Sequence, residues 1–211
     1  FKSLFRKADN YITVINALST VGKGMTRNDL VEKTKLTNNG NLTTLLNELE
    51  QCAFIRSFVP LKKERKDKLY QLIDQFSLFH FHFIKGHGSF SKDYWLKIVG
   101  TGAYNAWSGY AFETVCLHHI DQIVEGLGIS GTVNKPCSWA YRPTKVVKEN
   151  NDIDDNLKVG GQIDLLIDRN DKTITICEMK YSDGEFVIDK AYDKYVQDRL
   201  RRFKEVEKTA K

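Results

Sequence analysis

The sequence predicts two α+β modules in tandem: a small helical domain closed by a β-hairpin, then an α/β sandwich around a small mixed sheet. Three observations predict it. Charge is uneven: residues 1–85 carry 14 Lys and Arg against 8 Asp and Glu, and residues 86–211 carry 18 against 19. Within the first part, three segments of helical periodicity precede two β-like runs joined by a basic turn. Within the second, the order is helix, strand, two paired strands, helix, an alternation that belongs to α/β layers. The expected domains are therefore 1–85 and 86–211. Hydrophobic content of 41% and charged content of 28% are ordinary for a globular chain. No apolar run approaches the roughly 20 residues that span a bilayer, so no membrane partner is expected.

The first helix is expected over YITVINALST, residues 11–20. Thr26 reads as the N-cap of the second, RNDLVEKT, with Leu30 and Val31 inward. The third starts at Asn41 and sets Leu42, Leu45, Leu46 and Leu49 on one face. Strands FIRSFVPL and LYQLID then flank the basic turn KKERKDK. Three helices and a hairpin are the order of a winged helix, which makes DNA a candidate partner. Candidate phosphate contacts are Lys62, Lys63, Arg65, Lys66 and Lys68 in the turn. The third helix offers Asn39, Asn41, Thr43, Thr44, Asn47 and Glu48, without an Arg or Lys for guanine. The alternative is a spacer between proteins with a solvated loop. VGKGMT is only a fragment of a phosphate loop and follows a helix, so no ATP site is expected here.

Phe76, Phe79, Phe81, Phe83 and Phe90 form an aromatic stretch expected to be core that fastens the first module to the next. A helix is expected from Ala103 to Gly126, with Glu113 among its apolar residues, and a strand follows to about Pro143. Residues 144–161 read by composition as a mobile loop. QIDLLIDR and KTITICEMKYS then form a hairpin, and residues 190–208 a closing helix. The four cysteines make no CxxC pair and read as buried, reduced thiols of a cytoplasmic protein.

Charges interrupt the two apolar runs of that hairpin. Residues two apart on a strand share a face, so Glu178 and Lys180 point together. If Asp164 joins them, two carboxylates and an ammonium converge. Paired carboxylates repel unless a cation lies between them. Oxygen ligands of this kind suit Mg²⁺ or Mn²⁺, bound through carboxylates, water and a substrate phosphate. Met179 would point into the core, while its carbonyl remains near the ion. The competing reading makes Glu178 and Lys180 an ion pair on an edge strand.

A helical Glu, then Asp, then Glu-x-Lys on a hairpin resembles the PD-(D/E)xK, or restriction-endonuclease-like, nucleases. YQLIDQFSLFHFHFI, WSGYAFETVCLHHIDQI, LGISG and GGQIDLLIDR with ICEMKYS resemble the C-terminal half of the archaeal-type P-loop ATPases of bacteria and archaea, over residues 10–205. The resemblance implies a preceding ATP-binding domain as partner, a winged helix, and a nuclease-like domain. Its pattern falls on Glu113, Asp164, Glu178 and Lys180, with Gln162 as a possible flank. It implies Mg²⁺ or Mn²⁺ held by Asp164, Glu178 and Glu113, and Lys180 assisting the attacking water. The family core continues beyond the last helix into a further strand, whereas this sequence ends at Lys211; a missing initiator Met makes a fragment of a longer chain the expectation. The alternative function is a non-catalytic module that binds DNA or protein.

Overall fold

A computed structural model describes residues 4–5, 8–85, 93–141, 143, 149 and 155–208. The chain divides into two compact units, Phe1–Thr114 and Val115–Lys211.

The first unit begins with α1 (Ala8–Ser19), the short strand β1 (Met25–Thr26), α2 (Arg27–Thr34) and α3 (Gly40–Gln51). Strands β2 (Ile55–Phe58) and β3 (Leu69–Leu72) follow. The caps explain these boundaries. Thr26 accepts from the Asp29 amide while Asp29 accepts from the Thr26 amide, a reciprocal box that starts α2. Asn39 accepts from the Leu42 amide and starts α3. Val14, Ile15, Leu18 and Leu30 pack with the four α3 leucines, Ile55 and Leu72 in one core. The hairpin gains a third antiparallel strand, in the order β1-β3-β2. That explains VGKGMT: Gly24 has φ +82°, and a Cβ there would meet the Tyr70 carbonyl oxygen at 2.7 Å. Its glycine serves a close approach of backbones.

α4 (Gln75–Phe79) runs into a wider π-type turn over His80–Ile84; α5 (Tyr94–Ile98) and α6 (Gly102–His118) follow. The two compact units divide inside α6, whereas the sequence sets its boundary at residue 85. The cause is aromatic packing. Phe79 and Phe83 meet Trp95 and Trp107 with centroids 5.2 to 5.8 Å apart, which ties α5 and the first part of α6 to the first unit. Phe83 is buried as expected, but Phe76 is exposed. Residue 90 lies outside the described residues.

In the second unit the expected single helix to Gly126 breaks at His119, and α7 (Ile120–Gly126) continues. Strand β4 (Val133–Tyr141), a short turn α8 (Asp155–Lys158), β5 (Gly161–Arg169), β6 (Ile174–Cys177) and α9 (Lys190–Glu207) complete it. The expected mobile loop lies largely outside the described residues. The sheet has the order β4-β5-β6 and is antiparallel throughout, not mixed, because the chain reverses at both joints. Leu165 and Ile167 of β5 pack on Leu117 and Val124, with Cys177 and Met179 alongside. α9 is fixed by Phe203, whose ring meets Trp139 edge-on at 5.4 Å. Trp139 Nε1 also donates to Glu207 Oε1 at 2.8 Å. Gly161 lets that end close, since a Cβ there would lie 3.1 Å from Trp139 and 3.2 Å from Arg202.

No described helix is long and apolar enough to cross a membrane. The four cysteines are unbridged; Cys137 is buried, but Cys52 is exposed, against expectation, because it caps the outer end of α3.

Candidate functional site

Asp164 lies in the middle of β5 among buried apolar neighbours. Alternation sends Ile163, Leu165 and Ile167 one way and Gln162 and Asp164 the other. β6 stops at Cys177, paired with Leu165, so Glu178 and Lys180 lie just beyond the strand rather than within it. The local chemistry explains the early end. The Met179 amide donates to Asp164 Oδ2 at 3.1 Å, so the aspartate takes a bond that a continued ladder would give to a carbonyl. Met179 itself packs on the core with Leu165 and Ile167. That amide is the contact the structure shows; a role for the Met179 carbonyl stays an expectation.

The electrostatics centre on Glu178, whose side chain is 12% exposed. Burial pushes its carboxyl above the usual carboxylate range, and the charge of Asp164 adds to this. Arg199 and Lys180 oppose the rise without cancelling it. Arg199, on α9, donates through Nη1 to Glu178 Oε1. Glu178 Oε2 is buried and has no hydrogen-bond partner among the described residues. Lys180 Nζ lies 5.8 Å from the Tyr192 ring centroid and 6.0 Å from that of Tyr195, and Arg199 stacks 4.4 Å from Tyr195. Burial raises the Tyr192 phenol, and Glu178 and Asp164 raise it further, so this ring lies within their field. Asp164, Glu178 and Lys180 thus come together, and Arg199, Tyr192 and Tyr195 join them. The sequence carried one signal for these three: α9 spaces Tyr192, Tyr195 and Arg199 three and four residues apart, which is one helical face.

An orphaned carboxylate oxygen in a buried place beside a second carboxylate favours a bound cation, because the ion would relieve both the missing bond and the repulsion. Among the described residues no group of three or more His, Cys, Asp and Glu is poised for a metal. Two carboxylates completed by substrate and water are a sufficient set for Mg²⁺. The residues fit the ion in that sense.

Glu113 lies on α6 in the first unit, where its charge supports Arg56. Burial draws the Arg56 guanidinium down to about 10, and Glu113 counters that shift. Glu113→Gln is accordingly expected to destabilise by roughly 1 kcal/mol, a melting shift of about 2–4 °C. Thermal denaturation checks this. An unchanged melting point with loss of divalent-ion binding would return Glu113 to the metal.

The remaining candidates divide. Lys62, Lys63 and Arg65 are exposed in the turn between β2 and β3. Lys66 pairs with Glu64 at 3.0 Å, and Lys68 lies 3.9 Å from Glu50 and over the Tyr70 ring. Asn39 spends its side-chain oxygen on its cap; Asn39 and Asn41 line a cleft with Asn10 and Thr37. Thr43 and Thr44 bond back to helix carbonyls. Glu48 accepts from the Tyr11 hydroxyl, and this bond pushes the phenol up to about 12.

No protein-family model, curated protein sequence or solved structure matches the chain.

Proposed function

We propose that the second unit is a nuclease that hydrolyses DNA phosphodiesters with Mg²⁺ or Mn²⁺ held by Asp164 and Glu178, and that the first unit is a winged helix that contacts DNA. The observation that carries the reading is the buried, unpartnered Glu178 Oε2 beside Asp164. The element order supports it: a three-stranded antiparallel meander has an acid on its middle strand and Glu-x-Lys just past its third. In the first unit, the order helix, strand, two helices and two strands, with sheet order β1-β3-β2, supports the winged-helix reading. The sequence resemblance adds an ATP-binding domain of the parent chain as partner.

Each group then has a task. Asp164 and Glu178 supply the oxygen ligands. When bound, the ion supplies Lewis acidity to the scissile phosphoryl group and acidifies a water. Lys180 neutralises charge that builds on the phosphoryl oxygens and orients the attacking water. Arg199 holds Glu178 in place by its ion pair. The test is a cleavage assay paired with calorimetric titration of Mg²⁺ and Mn²⁺. Metal binding with cleavage that Lys180→Ala removes is the expected result; cleavage that persists in Lys180→Ala would reject the site.

Glu178 keeps its proton to a higher pH when folded than when unfolded. Within that window the folded state holds more protons than the unfolded state, so stability falls as pH rises through it. Glu178→Gln removes the penalty. At neutral pH it is expected to melt higher than the wild type, an advantage that disappears below the ordinary carboxylate range. Millimolar Mg²⁺ should raise the melting point of the wild type and not of Glu178→Gln. A scan over pH with and without Mg²⁺ reads both.

One observation favours a non-catalytic module instead: Arg199 already offsets the charge of Glu178 without a metal. Salt-sensitive DNA binding with no metal heat and no cleavage would select that reading.

A further inference from the structure

The acid pair is bordered by aromatic and apolar surface that the proposed chemistry leaves unused. Phe186, Val187 and Ile188 are consecutive and 45%, 70% and 69% exposed. Isolated exposed apolar residues are ordinary, but three in a row on a folded surface mark a contact site. Phe186 meets Tyr192 edge-on with centroids 5.0 Å apart, and Tyr192 lies 5.8 Å from Tyr195. Rings therefore run from Phe186 to Tyr195, which is 43% exposed. Cations are set among them: Lys180 lies near the Tyr192 and Tyr195 rings, and Arg199 near Tyr195. The same Lys180 and Arg199 act on Glu178, so the ladder ends at the acids.

Exposed rings interleaved with cations suit one class of ligand. Positive groups follow a phosphate backbone, and ring faces take unpaired bases. A duplex hides its base faces within the stack and offers a ladder of rings nothing to stack on. A partner protein's apolar segment would use Val187 and Ile188, but it would leave the ring faces beside Lys180 and Arg199 unused.

We propose that Phe186 and Tyr195 form a stacking subsite for an unpaired DNA strand, whose phosphates run past Lys180 and Arg199 to Asp164 and Glu178. The inference rests on reading the acid pair as a nuclease site. It makes the substrate a single strand, a flap or a frayed end rather than an intact duplex.

The test measures binding by fluorescence polarisation on the whole chain in EDTA, which prevents cleavage. The probes are a labelled twelve-nucleotide thymine strand and a labelled blunt duplex. Phe186→Ala and Tyr195→Ala should each weaken strand binding by roughly 5- to 150-fold and leave duplex binding unchanged. Phe186→Trp should restore it, and Val187→Ser should behave as the wild type. No loss in the Ala variants, or equal loss for strand and duplex, overturns the subsite. A protein-binding patch would show as a Val187→Ser effect as large as that of Phe186→Ala, which also overturns it. Cleavage with Mg²⁺ separates the two readings. A chain that binds the strand through Phe186 and never cleaves keeps the subsite and loses the nuclease. One that cleaves through Asp164 with Phe186→Ala unaffected keeps the nuclease and loses the subsite.

Discussion

Asp164→Asn is expected to lower metal-dependent DNA cleavage by about a thousand-fold or more while the protein stays folded. The residue does two things that this substitution separates. Its Oδ2 accepts the Met179 amide at 3.1 Å, which holds the chain beyond β6. Its charge acts on Glu178. Asparagine keeps an oxygen for the amide and discards the charge. Glu178 and Lys180 should therefore stay in position while metal affinity falls. Asp164→Ala removes both, and the stranded amide adds about 1–3 kcal/mol of destabilisation. The paired measurement is cleavage rate and metal heat for both variants against their melting temperatures. Both lose cleavage, and only the alanine variant melts early. Full cleavage in Asp164→Asn would remove the carboxylate from the chemistry and leave it as a backbone tether.

Much of the scaffold was legible because local signals agreed with the fold. Thr26 and Asn39 cap helices by side-chain bonds that need only neighbouring residues. The α3 leucines repeat at helical spacing and fill the first core. Asp164, Glu178 and Lys180 stood out because charge inside an apolar strand costs free energy unless something pairs with it. The misses share a different cause: each depends on contacts remote in sequence. β1 is two residues long and exists because β3 passes beside it. The compact units divide within α6 because the Phe79 ring packs on tryptophans of α5 and α6. Arg199 is 21 positions from Glu178, and no local pattern announces a bond across that separation. The end of β6 was missed for the same reason, since an aspartate on the neighbouring strand sets it.

Phe203→Ala carries the largest expected cost in stability, about 3–5 kcal/mol for an aromatic ring removed from a packed site. The ring is 2% exposed and meets Trp139 edge-on. Beside it the indole of Trp139 donates to Glu207, and Arg202 Nη1 donates to the Gly160 carbonyl at 3.1 Å. These bonds fasten the C-terminal part of α9 to the sheet. The N-terminal part carries Tyr192, Tyr195 and Arg199, so loosening the anchor acts on the site at a distance. Glu178 would lose its guanidinium partner for part of the time, and burial and Asp164 would then act on it with less opposition. Phe203→Ala should therefore weaken metal binding in a way that Phe203→Leu, which keeps most of the apolar volume, does not. Hydrogen exchange along α9, compared with the strands, checks the route: faster exchange throughout α9 with protected β5 amides is the expected pattern. If metal affinity falls while α9 stays protected, Phe203 acts by some path other than the anchoring of its helix.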